Sequence, residues 1–566
     1  MLLRIAMKQW CNLYFLLALS LGFSSCEDTL TEHPQSYYDR EDFFTTTENA
    51  GMAIIGIYSV LPTLYAQIDG QALPASDDIY YPNGTLADNT RRDIGHYVLR
   101  ASNTWIETVW AGKYEQLNRA NYSIANIEQM NGYAGNADLQ QLVGEAKFLR
   151  AQAAFDLVRY WGDVPFKTFY SSNYENAYQP RTDREEIYNQ IIEDLEEAEE
   201  VLPWATETSS PEKATQGAAR ALMMRVLLAR AGYSLQMDGT LKRPDESVRR
   251  QCFENVVKEW EAFESNGYHG FYPGGYQALF QSFSQEVLNS KESLFEVAFL
   301  YPDASGNWGS YMGPLVAEPQ VSGSESANYM GRANAMFRVL PEWRSFFEAD
   351  EQGEAIDERR DVMVCTYQYR WNANTRQQEK RENRNGRDWY PGKWRREWMS
   401  LGFEDLNATD VNFCLLRYAD VVLMAAEAYN ELGNTAQAWT LLNRVRERAG
   451  ATPVSSLQEY RTVQPNLFDL PFFQSGSVAD DFRTALYWER GFELAFEGQR
   501  KYDLIRWGIL GQALRLFGGR TSVNADGTTR YPAGENFHDG QHELLPIPDD
   551  EIQVNYQLKG MNNPGY

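Results

Sequence analysis

Apolar residues recur along most of this chain at intervals of three and four. Leu142, Ala146, Leu149, Ala153 and Leu157 lie on one face of a helix, and Gly162 and Pro165 end it. Ile187, Ile191, Leu195, Ala198 and Leu202 repeat the pattern up to Pro203. Further helices are predicted from Thr215 to Gly232 and from Arg249 through Trp260. The stretch AEAYNELGNTAQAWTLLNRVRERAG, Ala426 to Gly450, reads as two helices joined by a turn at Asn434, with small residues that let the pair pack closely. It has the look of a tetratricopeptide unit, as does Ile191 to Pro203, although any helical hairpin shares these features. A single pair cannot bury its apolar face alone, so several are expected to stack. The pattern predicts a mostly α protein.

Between about residues 266 and 411 the periodicity fades. Gly, Pro, Asn and aromatic residues dominate there, as in YHGFYPGGY, Tyr268 to Tyr276. SLFEVAF, Ser293 to Phe299, alternates as a strand does. The polar run Asn372 to Asp388 reads as exposed loop, and Leu73 to Arg100 has the same texture. The expected organisation is a leader over 1–25 and one domain over 26–566. Its helical blocks cover about 40–265 and 412–520, with a loop-rich insert over about 266–411. Loops on a rigid scaffold are where binding groups concentrate.

The first residues set the compartment. Arg4 and Lys8 precede an apolar run from Trp10 to Phe23, which ends in GFSSCED, Gly22 to Asp28. The run is shorter than the roughly 20 residues that span a bilayer, so it reads as an export signal. Ser24-Ser25-Cys26 resembles a loose bacterial lipobox, with Phe23 where leucine is usual. Cleavage there would leave Cys26 first and lipidated, and several acyl chains anchor firmly. An ordinary cleaved signal with a chance cysteine is the alternative. Glu27 and Asp28 resemble the acidic export tag of surface lipoproteins in Bacteroidetes.

Charge and cysteine usage exclude other classes. The 566 residues carry 52 basic and 78 acidic side chains, a net charge of −26, which repels phosphate backbones and argues against nucleic acid as a partner. Cys252, Cys365 and Cys414 form neither a disulfide framework nor a zinc spacing, and leave one disulfide open. The chain has 15 Trp, 34 Tyr and 28 Phe, more than a core alone explains. Tyr and Trp suit surfaces that stack on polar ligands.

Catalytic motifs are scarce. The chain has no phosphate-cradling Gly-Lys-Ser/Thr loop, no Gly-x-Ser-x-Gly elbow and no His-Glu-x-x-His. His538 and His542 flank Gly540, which argues against a helical metal pair, so no metal is assigned. Glu489, Glu493 and Glu497, spaced by four, invite comparison with glycosidase carboxylates. Like charges at that spacing repel, so they need cationic partners such as Arg490, Arg500 and Arg506, or arginines of another helix. Phe492, Leu494 and Phe496 between them favour a packed ion-pair network over an open catalytic cleft.

Several blocks resemble the SusD/RagB family of Bacteroidetes surface lipoproteins. GEAKFLRAQAAFDLVRYWGDVPF, Gly144 to Phe166, is similar to the family's hallmark helix. Tyr114 to Ile127, Leu416 to Gly433, Glu489 to Gly508 and Leu544 to Tyr566 resemble other family blocks, in the family's order. The resemblance implies a helical domain built on tetratricopeptide-like pairs with a loop-rich ligand face. It implies a non-catalytic protein without a cofactor, lipid-anchored at the outer-membrane surface as the lid of a SusC-like TonB-dependent transporter. Its ligand would be an oligosaccharide or, in some members, a peptide. A secreted glycoside hydrolase is the alternative from another class.

A sugar needs aromatic rings for its C–H face and Asn, Asp or Arg for its hydroxyls. DDIYYPNG supplies Asp77, Asp78, Tyr80, Tyr81 and Asn83, and SGNWGSYMG supplies Trp308 and Tyr311. Tyr329 follows in the next glycine- and serine-rich segment. These eight are the expected ligand residues, with Trp389 and Trp394 as rivals; packing of each aromatic within its own loop is the alternative.

Overall fold

The computed structural model describes residues 43–66, 76–82, 89–174, 176–383, 385–474, 476–518 and 531–566. The expected leader over 1–25, Cys26 and Asn83 therefore lie outside the described residues. Ten longer or connecting helices organise the rest: α1 (Thr47–Tyr58), α2 (Thr104–Ile127), α3 (Ala137–Trp161), α4 (Arg184–Val201), α5 (Gln216–Ala231), α6 (Glu246–Asn266), α7 (Tyr418–Glu431), α8 (Thr435–Arg448), α9 (Val478–Leu494) and α10 (Arg500–Arg506).

Local chemistry sets the helix starts. Asn103, Asn136, Asp183, Thr215, Asn434 and Ser477 each accept a backbone N–H of the first turn through the side chain. Each such cap contributes about 1 kcal/mol. Gly162 ends α3 at φ 73°, and a Cβ there would lie 2.7 Å from the Arg184 guanidinium. The stop predicted at this glycine thus reflects both a backbone need and a close approach.

Neighbours in sequence pack as neighbours in space. Contacts run from α2 to α3, α4, α5 and α6, and α6 then meets α7 across the loop-rich segment. The α7–α8 pair is the hairpin read from Ala426 to Gly450, and α9 closes over both. Ala146, Leu149, Ala153 and Leu157 are fully buried on α3, as their spacing requires.

Polar groups also tie this stack together. Arg150 of α3 pairs with Asp194 of α4 at 2.5 Å, and Lys113 of α2 pairs with Asp156 of α3 at 2.7 Å.

Sheet structure is confined to two-stranded pieces. The predicted strand forms β2 (Ser293–Val297) and pairs antiparallel with β6 (Phe413–Arg417), whose register is bulged. Both strands are buried, and they cross the loop-rich segment to its end. The polar run after Asn372 is only partly loop. A hairpin of β4 (Tyr367–Asn372) and β5 (Gln377–Glu382) forms there in full register. Tyr367, Tyr369 and Trp371 lie on one face of β4, a period of two that a count of polar residues hides.

Candidate functional site

Backbone pairing gathers three distant segments. β1 (Ile79–Tyr80) pairs antiparallel with β3 (Arg338–Val339), and the Leu340 N–H donates to the Asp78 carbonyl at 3.1 Å. The N–H groups of Ala335 and Met336 donate to the carbonyls of Ser310 and Tyr311, both at 2.9 Å. The Tyr81 ring meets Phe337 edge-on at 5.0 Å. Residues 76–82, 305–313 and 329–340 therefore pack together as one unit.

Burial divides the expected ligand residues. Asp77 is 0% exposed: Arg500 pairs with it at 2.8 and 2.9 Å, and the Tyr487 hydroxyl donates to it at 2.5 Å. Asp78 is buried beside it, and burial together with the Asp77 charge pushes its carboxyl up to about 7. Tyr80 is buried against Tyr531. Asp77 and Tyr80 fix the loop to the core, and all three side chains are buried away from a ligand. Trp308 is corrected more sharply. It is 0% exposed, stacks on Phe413 at 4.4 Å and 8°, and donates from its indole to the Tyr65 carbonyl at 3.2 Å. The glycines around it serve close packing rather than access: a Cβ on Gly313 would lie 2.7 Å from the Trp394 carbonyl oxygen. Trp394 itself is buried 4.5 Å from Trp308, while Trp389 is half-buried beside Arg344. Tyr329 is nearly buried, with its ring on Trp371 at 5.6 Å and its hydroxyl on the Arg376 carbonyl. It belongs to the hairpin side of the surface.

A different cluster reaches solvent. The Arg91 guanidinium lies 5.9, 5.7 and 6.0 Å from the ring centroids of Tyr81, Trp105 and Tyr311. Its Nε donates to the Tyr81 hydroxyl. Arg91, Trp105 and Tyr311 are half-buried, and Tyr81 is buried beside them at 4% exposure. Two of the three expected stretches thus meet through Tyr81 and Tyr311. The two residues that join them, Arg91 and Trp105, carry no sequence motif. The one available signal was position: Arg91 falls in the loop-textured run before Arg100, and Trp105 opens the helix that follows. From Thr104, the residue before Trp105, an open groove of about 610 Å³ follows α2 past Glu107, Thr108, Ala111 and Glu115.

The three spaced carboxylates are locked away from solvent. Glu489 pairs with Arg359 at 2.5 Å and Arg446 at 3.1 Å. Glu493 pairs with Arg417 at 2.6 Å, Arg359 at 3.3 Å and also Arg448. Glu497 pairs with Arg417 and Lys393. The partners come from other elements, whereas Arg490, Arg500 and Arg506 pair with Asp503, Asp77 and Glu427. Burial raises the Glu493 carboxyl, but Arg448, Arg417 and Arg359 outweigh it and hold it well below the usual range. Helix α9 ends at Leu494, and Phe496 adopts φ 67°, so Glu497 leaves the face that Glu489 and Glu493 share.

No trio of metal-binding side chains gathers among the described residues. The His538 N–H donates to Nδ1 of His542, whose ring burial holds near pKa 4. Cys252, Cys365 and Cys414 are buried free thiols, so no disulfide joins them. No helix of the described residues is long and apolar enough to cross a membrane.

A helix-pair scaffold carrying a loop-built face with aromatic rings and a cation defines a mostly α protein of the SusD-like fold. The solved SusD homologue from Bacteroides thetaiotaomicron superposes with a TM-score of 0.76 at 24% identity, over 93% of this chain and 98% of that one. Surface glycan-binding protein A from the same species, solved with laminarihexaose, gives 0.63 at 19% identity over 92% and 100%. Among curated proteins, SusD-like protein P25 of Formosa agariphila is 26% identical over 98% of this chain and 99% of its own length. The chain belongs to the SusD family: the family model matches residues 291–566, and a second model, described as starch-binding associating with outer membrane, matches 74–228.

Proposed function

We propose that this protein binds oligosaccharides at the cell surface, on the face where Tyr81, Arg91, Trp105 and Tyr311 meet. The observation that carries the reading is this cluster, in which the half-buried Trp105 and Tyr311 rings and the half-buried Arg91 guanidinium lie together over a buried Tyr81. Such a pairing matches a sugar's apolar ring face and polar rim. Asn83, two residues after Tyr81, belongs to the same proposal. A neighbour of the same fold is solved with laminarihexaose, and the model matching 74–228 is named for starch binding at the outer membrane.

The wider reading follows from the family resemblance. Cys26 carries the lipid, Glu27 and Asp28 route the protein outward, and a SusC-like TonB-dependent transporter receives the ligand. The protein does no chemistry on it. The ion-paired state of Glu489, Glu493 and Glu497 supports that reading, because none is free to flank a scissile bond.

A glycan array followed by calorimetry tests the site. Trp105→Ala and Tyr311→Ala should each weaken binding at least tenfold, about 1.4 kcal/mol, with unchanged melting temperature. Unchanged affinity in both variants places the ligand face elsewhere. Retention of peptides but not sugars would replace the ligand class, and released sugar would make the protein a hydrolase.

A further inference from the structure

Arginines in this protein are, as a rule, claimed by carboxylates. Arg359, Arg417, Arg446, Arg490, Arg500 and Arg506 are all buried and all ion-paired. Arg91 differs. It stands in a chain of net charge −26, yet no carboxylate pairs with it among the described residues. Three aromatic rings surround it instead, and among the described residues its one hydrogen bond uses Nε. No partner among the described residues takes its two terminal nitrogens, which carry four N–H groups.

This arrangement has a cost and a use. Aromatic faces hold a guanidinium in place by cation–π attraction, but they cannot satisfy its outward N–H groups. A side chain fixed in this way keeps its fork of donors pre-oriented, so little conformational freedom is lost when an anion docks. A planar fork donates to a sugar hydroxyl, but it matches carboxylate or sulfate oxygens two at a time and with charge assistance, which makes those bonds roughly twice as strong. The surrounding negative charge sharpens the point. An acidic surface disfavours an acidic ligand at a distance, so accepting one requires a local unneutralised cation. A neutral ligand requires none.

We infer that the Arg91 face selects glycans bearing an acidic substituent, a uronic acid carboxylate or a sulfate ester. Trp105 and Tyr311 cover the sugar ring, and Arg91 takes the substituent. The inference rests on the reading of this face as the glycan site, and it separates this protein from a neighbour solved with laminarihexaose, which is an uncharged glucan.

The test compares matched ligands on the mature chain by calorimetry. The probes are a galacturonic acid hexamer and its carboxyl-reduced form, a sulfated galactan oligosaccharide and its desulfated form, and laminarihexaose. At least one acidic probe should bind at least tenfold more tightly than its neutral counterpart, with a preference that shrinks as salt rises. Arg91→Gln should abolish the preference while the melting temperature holds, and Arg91→Lys should keep part of it, because a point charge attracts without the fork. Which acidic probe gains identifies carboxylate or sulfate. Equal binding of acidic and neutral members, or a preference that survives Arg91→Gln, overturns the inference and leaves the glycan reading standing. Binding of no probe on the panel or on a wider glycan array overturns both.

Discussion

Asp77 and Arg500, 423 residues apart in sequence, meet in a fully buried ion pair with two hydrogen bonds, at 2.8 and 2.9 Å. The contact fastens the loop before Tyr80 and Tyr81 to helix α10, beyond the end of α9. An ion pair of this depth is costly to form and costlier to break on one side. Its value here is positional: it holds the base of the proposed ligand face against the C-terminal helical block.

Arg500→Ala leaves Asp77 and Asp78 buried together without their cation. The variant should lose about 3–5 kcal/mol of stability, measured by denaturant unfolding. Asp77→Ala should lose a similar amount, because it strands Arg500. A loss below 1 kcal/mol in both would show that the loop is held by other contacts.

Buried carboxyls make stability fall as pH rises. Burial pushes Asp78, Glu296 and Glu543 each up to about 7 from ordinary values of 3.8 and 4.5. Their protonated forms are favoured in the folded state, so their contribution is complete below about pH 4 and is lost progressively as pH rises to 7. Asp420 works in the opposite sense. Burial opposes its charge, but Arg490 and Arg225 hold it near 2, so its contribution is lost only as pH falls below 4. The melting temperature, followed at constant ionic strength, should decline from pH 5 to pH 8. Asp78→Asn should flatten that decline, since the amide cannot ionise. An identical slope in the variant would remove Asp78 from the account.

Trp308 and Trp105 should respond oppositely to truncation. Trp308→Ala empties a core site between Phe413 and Trp394 and should cost about 3–5 kcal/mol of stability. Trp105→Ala should cost ligand affinity at little expense in stability. Thermal melts and titrations of the two variants separate the roles. Reduced affinity in a Trp308 variant that melts like the parent would return Trp308 to the ligand face.

Much of the scaffold was legible in the sequence. Helical spacing is local, so Leu142 to Leu157 and Ile187 to Leu202 revealed α3 and α4, and Gly162 and Pro203 marked their ends. The Ala426 to Gly450 pair was equally plain, because close helix packing demands small residues at short intervals. The family blocks also ran through the described body in order. The exposed hairpin of β4 and β5 was missed: its polar strands look like loop until the alternation of Tyr367, Tyr369 and Trp371 is counted.

The ligand face was less legible, and the reason is physical. Composition distinguishes residues able to stack on a sugar from those that cannot, but it does not say which side of the chain meets solvent. Trp308 and Tyr311 stand three residues apart in one glycine-rich loop, yet the first lies under the surface on Phe413 and the second lies on it beside Arg91. Asp77 and Asp78 look like ligand groups until Arg500 arrives from 423 residues away. The sequence by itself determined the helices, their caps and their order, because these depend on neighbours within a turn or two. The tertiary structure alone decided burial, ion pairing and the meeting of Tyr81, Arg91, Trp105 and Tyr311, because each depends on contacts that chain spacing does not encode.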